Sequence, residues 1–473
     1  MINLLKKEKS SKHAIIIALS SLLVLVLVIF LSLFLVSPNY IHEAAEEDIS
    51  ISPEPEAMEE ILWTWSPEGD SYRRVLRGAA GPIIVSESGI AALDGSDGRE
   101  IWSFEYTVEG EMTVGVTPDE KSVLVGYFKE NSNSPEIEIK VFDSLSGEMV
   151  SDYEREFRSK GEEWEEWKED IPSFTSASNS TWIEYAEDSI SAIDSLSGED
   201  AWEYIPEPGC SLIQDHVDRD FSGYSIGVTG NIYIAFLICS GNTEEAADVA
   251  RLVGLNSETG EIAWDPVDNV SLRSTEDSGV IYYTPRVNLS QDGKYFVATI
   301  DGNYEVFSVD SGSLIQWTEE EDDNLSSPFA GSFFFRDNQI YSFEAEQTDS
   351  VIESFDATSG ELLNQTKFSP DFDMVSFPSY SYLRPSNYSS RATVLSDGFL
   401  TLACFTECDF NYKGEHEGPI FAVFAPWDEE SEEIFLEMEE VYSLRHSLIL
   451  LPGSVVVTQR DDDGEIVSMT GLG

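Results

Sequence analysis

The sequence predicts an all-β protein: an eight-bladed β-propeller of four-stranded blades, with seven blades as the alternative. The main observation is a repeated phrase in which an apolar strand leads into a turn with Asp or Asn, Gly follows four residues later, and the next strand carries Trp. Equivalent turn positions lie about 50 residues apart, which is the period of propeller blades. The apolar runs have strand length and alternate, unlike the 3.6-residue spacing of helical repeats.

Six copies of the phrase are clear, and two more are degenerate. The Asp or Asn is expected to bond downstream amides and the Gly to supply positive φ, and together they close a tight hairpin. The Trp is expected to pack between neighbouring blades rather than to stack on a ligand. The clear copies are residues 91–102, 140–150, 191–202, 253–264, 305–317 and 353–363, and the degenerate copies are 420–438 and 447–471. The predicted turn and packing residues are Asp94, Gly98, Trp102, Asp143, Gly147, Asp194, Gly198, Trp202, Asn256, Gly260, Trp264, Gly312, Trp317, Asp356 and Gly360.

The second degenerate copy supplies only three strands. Residues 61–66, ILWTWS, form a short run with aromatic side chains at alternate positions. We therefore expect this N-terminal strand to complete the blade at residues 447–471, which would close the ring and remove an open sheet edge.

Three segments precede the propeller, which we assign to residues 61–473. Residues 1–13 carry Lys6, Lys7, Lys9 and Lys12, and residues 14–36 are apolar apart from serines. About 23 helical residues span about 34 Å, enough for a bilayer core of about 30 Å. We predict a cytoplasmic basic tail and an uncleaved, single-pass signal-anchor helix that leaves the propeller outside the cell membrane. Residues 37–60 are acidic and contain prolines, so they are predicted to be a flexible linker.

The charge is strongly negative: 89 acidic against 27 basic residues give a formal net charge of -62. Such a surface would repel phosphate backbones, so a nucleic-acid partner is not expected. One interpretation is a solvated, halophile-like surface suited to high salt, where a Debye length of about 3 Å at 1 M screens self-repulsion. The other is a surface that collects divalent cations or a basic partner.

The long insertions fall at one end of the predicted blades. Strand parity places the two short turns of each blade at one end and the longer connections at the other. We call these the short-turn end and the insert-rich end. Since long loops often carry function, the insert-rich end is the candidate binding surface. Its insertions are residues 154–170, 207–220, 240–249, 368–391 and 405–418.

Four cysteines in a predicted external domain favour disulfides, with Cys210 paired to Cys239 and Cys404 to Cys408. A metal site is the rival interpretation, but no CxxC motif and no nearby histidine pair support zinc. Six sequons make N-glycosylation a further expectation. They begin at Asn179, Asn269, Asn288, Asn324, Asn364 and Asn387.

The phrase at residues 91–102, AALDGSDGREIW, resembles the repeat of pyrroloquinoline-quinone-type β-propellers. That family includes quinoprotein alcohol dehydrogenases and the non-catalytic propeller lipoprotein of the bacterial β-barrel assembly machinery. The resemblance covers residues 61–473 and implies the fold more than an activity. The family enzymes use a vicinal cysteine pair, calcium ligands and often a haem motif, whereas this chain has neither adjacent cysteines nor CxxCH.

We therefore expect a non-catalytic binding or scaffold module, held by its helix in the membrane, with a protein or glycan partner on the insert-rich end. The alternative is a pyrroloquinoline-quinone-dependent oxidoreductase. No catalytic, cofactor-binding or metal residue is predicted, although pyrroloquinoline quinone and calcium stay open as ligands.

Overall fold

The structure is a computed structural model. It describes residues 40–45, 49–67, 72–107, 110–129, 136–156, 174–185, 188–212, 224–226, 231–240, 249–270, 272–277, 280–285, 287–289, 294–300, 303–315, 332–336, 339–345, 350–368, 372–373, 392–405, 420–427, 434–438, 446–461 and 465–473. The chain divides into two compact units, one of Met1–Ile41 with Glu105–Val108 and one of His42–Phe104 with Glu109–Gly473. In the first unit, the described residues are 40–41 and 105–107.

The first ten strands give two sheets and the closing strand of a third. They are β1 (Tyr40–Glu43), β2 (Ile61–Trp65), β3 (Tyr72–Arg77), β4 (Pro82–Ser86), β5 (Gly89–Leu93), β6 (Glu100–Tyr106), β7 (Gly110–Val116), β8 (Ser122–Lys129), β9 (Glu136–Asp143) and β10 (Met149–Glu156). Sheet 1 has the order β1-β6-β5-β4-β3, and sheet 2 has the order β10-β9-β8-β7.

The next nine strands form sheets 3 and 4. They are β11 (Thr175–Ser176), β12 (Thr181–Tyr185), β13 (Ile190–Asp194), β14 (Asp200–Tyr204), β15 (Cys210–Leu212), β16 (Tyr224–Ile226), β17 (Ile232–Cys239), β18 (Val249–Asn256) and β19 (Val267–Asp268). Sheet 3 has the order β11-β12-β13-β14. Sheet 4 has the order β15-β17-β18-β19, with β16 also paired to β17.

Nine further strands form sheets 5, 6 and 7. They are β20 (Leu272–Asp277), β21 (Val280–Pro285), β22 (Val287–Leu289), β23 (Tyr295–Ile300), β24 (Asn303–Ser308), β25 (Ser332–Arg336), β26 (Gln339–Ala345), β27 (Ser350–Asp356) and β28 (Leu362–Phe368). Sheet 5 is the hairpin β20-β21, sheet 6 is β22-β23-β24, and sheet 7 is β25-β26-β27-β28.

The C-terminal strands form sheets 8 and 9. They are β29 (Phe372–Asp373), β30 (Ala392–Val394), β31 (Gly398–Phe405), β32 (Ile420–Pro426), β33 (Ile434–Glu437), β34 (His446–Leu451), β35 (Ser454–Arg460) and β36 (Ile466–Leu472). Sheet 8 has the order β29-β31-β32-β33, with β30 also paired to β31. Sheet 9 has the order β2-β36-β35-β34.

These sheets form an all-β propeller, which confirms the predicted fold class. Seven of the nine sheets in the described residues have four or five strands, and sheets 5 and 6 have two and three. Seven blades, the alternative count, are thus found in the described part of the chain. The count of eight stays a prediction.

Burial follows the position of a strand within its sheet. Middle strands such as β5 are buried along their whole length, because neighbouring sheets cover both of their faces. The outer strand β10 instead alternates between half-buried and exposed residues, because only one face of it packs inward. Apolar clusters join different sheets; one, for example, joins Phe236 of sheet 4 and Trp264, which lies between β18 and β19, to Phe296 of sheet 6.

The N-terminal strand β2 lies where the sequence predicts it. It pairs antiparallel with β36, so that Trp63 lies opposite Gly471 and Trp65 opposite Met469. Trp63 also joins a buried cluster with Val75 of sheet 1 and Val456 of sheet 9. The strand therefore completes the C-terminal sheet and helps to pack that sheet against the first one.

The described residues of the predicted flexible linker, 40–45 and 49–60, differ from that prediction. Tyr40–Glu43 is strand β1, and residues 51–60 bond to turns of sheets 8 and 9. Met58 is fully buried among apolar residues of these two sheets. Composition alone predicted disorder because the segment is acidic, but one apolar side chain and a series of main-chain bonds hold its described residues in place.

The predicted anchor helix, residues 14–36, lies outside the described residues. Within the described part of the chain, no helix has both the length and the apolar character that crossing a membrane requires.

Candidate functional site

The repeated turns bring their own polar groups together. In sheet 2, the Asp143 carboxylate accepts hydrogen bonds from the amides of Leu145 and Ser146 and from the Ser146 hydroxyl, at 2.8–3.2 Å. Gly147 then donates its amide to the Asp143 carbonyl and has a φ of 69°, a conformation that favours glycine. The same carboxylate or amide bonds recur at Asp194, Asn256 and Asp356. The turn oxygens are therefore used within the turns.

Tryptophans on or near the outer strands lie against a turn of a neighbouring sheet. Trp102 donates its indole N–H to the Ser144 carbonyl at 2.9 Å, and a Cβ on Gly147 would lie within 2.5 Å of the indole. Trp63, Trp202 and Trp264 make the equivalent indole bonds at 2.7–2.9 Å. Their indoles lie against the turn glycines Gly98, Gly260 and Gly312. The glycines thus serve two purposes, because they supply positive φ and leave room for an indole.

Tyrosine takes the place of tryptophan where sheet 2 meets sheet 3. Tyr153 lies against Gly198, and its hydroxyl accepts the indole N–H of Trp182 at 3.3 Å. Burial raises the pKa of the Tyr153 hydroxyl to about 12. Of the remaining predicted turn residues, Asp94 and Gly360 occupy equivalent turns, and Trp317 lies outside the described residues.

A buried ion pair crosses the same boundary. Arg155 of β10 contacts the carboxylates of Glu184 and Asp200 in sheet 3, both at 2.7 Å. The Glu184 side chain is fully buried, whereas Asp200 is half exposed. Burial alone would lower the pKa of Arg155, but hydrogen bonds and charge from the two carboxylates outweigh it and raise the pKa. The pair therefore joins two neighbouring blades.

The two short turns of each blade lie at the same end, as strand parity predicts. The amide of Ser144 donates to the Lys121 carbonyl, which links the two turns of sheet 2. Ser195 and Ser180 make the same link in sheet 3, at 2.8 Å. This end is the short-turn end.

Residues 51–60 lie on this short-turn end. The Pro53 and Glu56 carbonyls accept the amides of Gly453 and Asp397, and the amides of Glu59 and Glu60 donate to the Gly473 carbonyl. The side chain of Glu54 reaches Arg77 at 2.6 Å. A part of the chain that the sequence assigned to a tether therefore covers turns of sheets 8 and 9.

Arg77 is the centre of this contact. Its guanidinium contacts Glu120 of sheet 2 at 2.5 Å and donates to the Leu450 carbonyl of sheet 9 at 2.6 Å, in addition to the contact with Glu54. Burial alone would lower the pKa of Arg77, but the carboxylates of Glu120 and Glu54 outweigh it and raise the pKa. Burial raises the pKa of Glu120, and the Arg77 guanidinium lowers it by a smaller amount, so that the pKa of Glu120 stays raised.

The predicted insertions lie mostly outside the described residues, and so does most of the candidate binding surface. The described part around it is the end of sheet 4. Cys210 and Cys239 lie opposite each other on β15 and β17 and form a disulfide. Arg251 of the same sheet pairs with Glu207 and Asp268. These bonds hold the bases of two insertions together.

The other cysteines and the sequons are only partly described. Cys404 lies on β31, and Cys408 lies outside the described residues. Asn179 and Asn269 are exposed, and Asn364 is exposed on β28, where its amide nitrogen donates to the Ser354 hydroxyl. Asn288 lies on β22, and Asn324 and Asn387 lie outside the described residues.

Among the described residues, one group of three side chains has the spacing of a metal site, namely Glu207, Cys210 and Cys239. Both sulfurs belong to the disulfide, so this group offers no thiolate to a metal. The residues that sequence reasoning missed are Glu54, Met58, Arg77 and Glu120. The sequence gives one indication of this contact: residues 73–77 contain the first Lys or Arg after a long acidic stretch.

Comparisons with known proteins do not assign the chain to a family. No protein-family model matches the chain, and no curated protein matches it in sequence. Solved structures with similar backbones include a eukaryotic initiation factor, with 11% identity and a TM-score of 0.40, covering 86% of this chain and 98% of that chain. Another is Hsv2 of Kluyveromyces lactis, with 10% identity and a TM-score of 0.36, covering 78% of this chain and 98% of that one. A third is the dihydro-heme d1 dehydrogenase NirN in complex with DHE, with 12% identity and a TM-score of 0.34, covering 92% of this chain and 79% of that one. Likenesses this weak carry no information on activity.

Proposed function

We propose that the protein is a non-catalytic binding or scaffold module that a single N-terminal helix displays on the outside of the cell membrane. A protein or glycan partner contacts its insert-rich end. The observation that carries this proposal is the position of residues 51–60, which bond to turns at the short-turn end. That end is therefore occupied by the chain itself, which leaves the other end for partners.

We also infer that sheet 6 is an eighth blade. Trp264 of sheet 4 donates to the Val309 carbonyl and lies against Gly312, the same contact that joins the other blades. Leu314 bridges to Phe307, which supplies the beginning of a fourth strand. An experimental structure with seven blades would contradict this count.

A photo-crosslinking experiment tests the binding surface. In intact cells, a photoreactive amino acid replaces Ser240 at the insert-rich end or, as the control, Glu258 at the short-turn end; both residues are exposed on sheet 4. We expect adducts from position 240 and few from position 258. Adducts only from position 258 would refute the assignment of the surface. Bound quinone together with dye-linked alcohol oxidation by the purified protein would refute the non-catalytic role.

The same cells test the orientation. A protease added outside should digest the propeller to the same extent as a known external protein. If the propeller stays intact while that control is digested, the proposed display is wrong.

A further inference from the structure

Residues 51–60, which we call the strap, lie on the short-turn end without forming a strand. Their main-chain bonds go to three different places: the turn of sheet 9 at Gly453, the turn of sheet 8 at Asp397, and Gly473 at the end of β36. Each main-chain hydrogen bond of this kind contributes little net stability, because the unfolded chain makes the same bonds to water. The strap therefore depends on its side-chain contacts as well.

Met58 is the apolar anchor of the strap. Its side chain has no exposed surface and packs in a cluster that includes Leu400 of sheet 8 and Leu448 and Val455 of sheet 9. By contrast, Ile51 at the start of the strap is 58% exposed. The strap is thus held most firmly near its C-terminal end, between two blades.

Arg77 is the electrostatic anchor. The strap residue Glu54 and Glu120 of sheet 2 both contact this guanidinium. The guanidinium also donates a hydrogen bond to the Leu450 carbonyl of sheet 9. A single cation therefore balances carboxylates from the strap and from the ring. The arrangement ties the strap to three elements at once.

The segment that contains the strap has only acidic charged residues. Residues 43–60 contain eight acidic residues and no Lys or Arg, and the whole chain has a formal net charge of -62. Repulsion between an acidic segment and an acidic ring reaches about 30 Å at 0.01 M salt but only about 3 Å at 1 M salt. The contact of Glu54 with Arg77 and the burial of Met58 oppose this repulsion.

We propose that the strap is a latch controlled by ionic strength: high salt keeps it closed over the short-turn end, and low salt releases it while the ring stays folded. The ring keeps its own apolar clusters between blades, and these do not depend on charge. Release uncovers Arg77 and the Met58 pocket between sheets 8 and 9. The short-turn end then offers a cationic and an apolar contact that are covered at high salt.

The test is thiol labelling of the full chain with the uncharged reagent N-ethylmaleimide, in a salt series at pH 7. Met58→Cys reports on the strap. Met469→Cys is the matched control, because Met469 is also fully buried but lies between sheets 9 and 1, away from the strap. The native protein measures labelling of the natural cysteines, which is subtracted.

We expect the labelling rate of Met58→Cys to rise by about tenfold or more between 2 M and 0.05 M salt, while that of Met469→Cys stays constant. Tryptophan fluorescence should not change over this range. If both cysteines become reactive together, low salt opens the ring and the latch proposal is wrong. If neither becomes reactive, the strap is a permanent part of the fold and the proposal is equally wrong.

A charge variant separates the latch from a general loosening. Arg77→Gln in the Met58→Cys background removes the cation that contacts Glu54, so release should begin at a higher salt concentration. Glu59→Gln is the opposite control, because it removes one repelling charge from the strap, and release should need lower salt. A release midpoint that neither substitution moves would refute the electrostatic mechanism.

Discussion

Closure of the propeller by β2 gives a quantitative prediction for Trp63→Ala. Trp63 is 7% exposed, lies against Gly98 and Gly471, and donates its indole N–H to the Gly95 carbonyl at 2.8 Å. Replacing a buried tryptophan with alanine costs about 3–5 kcal/mol, which includes the cavity that is left. Since Trp63 lies on an outer strand that is able to relax, we expect about 3 kcal/mol.

The assay is urea unfolding of the full chain in detergent at a constant 2 M salt. Thr64→Ala is the matched control, because Thr64 is the next residue on the same strand and is exposed. Its free energy of unfolding should change by less than about 0.5 kcal/mol. If Trp63→Ala costs no more than Thr64→Ala, β2 does not hold the ring closed and the reasoning is refuted.

Three further predictions concern the blade boundaries and the disulfide. Arg155→Gln should lower the free energy of unfolding in urea by about 3–5 kcal/mol, because it leaves the Glu184 carboxylate buried without its cation. Adding Glu184→Gln should restore most of that loss. Equal stabilities of the single and double variants would contradict this. The pKa of Tyr153 is raised to about 12 in the folded protein, so only the unfolded chain ionises this hydroxyl between pH 10 and 12. The contribution of Tyr153 to stability is therefore full below pH 10 and falls towards pH 12. Tyr153→Phe should make the fall in stability with pH shallower, and an unchanged slope would refute this prediction. Removing the disulfide with Cys210→Ser and Cys239→Ser should lower the free energy of unfolding by about 3–4 kcal/mol, by the chain-entropy estimate for a separation of 29 residues. Unfolding of the variant measures this loss. A loss below about 1 kcal/mol would show that restriction of the loop in the unfolded chain is not the source of the stability.

The repeated turns could be predicted from the sequence because their chemistry is local. A carboxylate such as Asp143 finds its partners within three residues, and Gly147 follows at a fixed spacing. The contact of Trp102 with the next blade was also predictable, because each blade repeats the same strand and turn. Period, turn chemistry and aromatic position therefore all indicate the same fold.

The short-turn end could not be predicted in the same way. Local composition around Met58 is that of a disordered acidic segment, and its burial depends on strands more than 300 residues away. Likewise, Arg77 finds its carboxylates 23 positions before it and 43 positions after it. Such contacts follow from the assembled ring, and no short motif records them.

The pairing of β2 with β36 also has a consequence for synthesis of the chain. Residue 65 leaves the ribosome 401 residues before its partner strand begins at residue 466. At about 5–20 residues per second, the N-terminal strand waits about 20–80 seconds for that partner. During this time the growing chain exposes an unpaired edge on each side, to which a neighbouring nascent chain or a chaperone has access. Ribosome pausing before β36 has emerged should therefore favour aggregation of this protein.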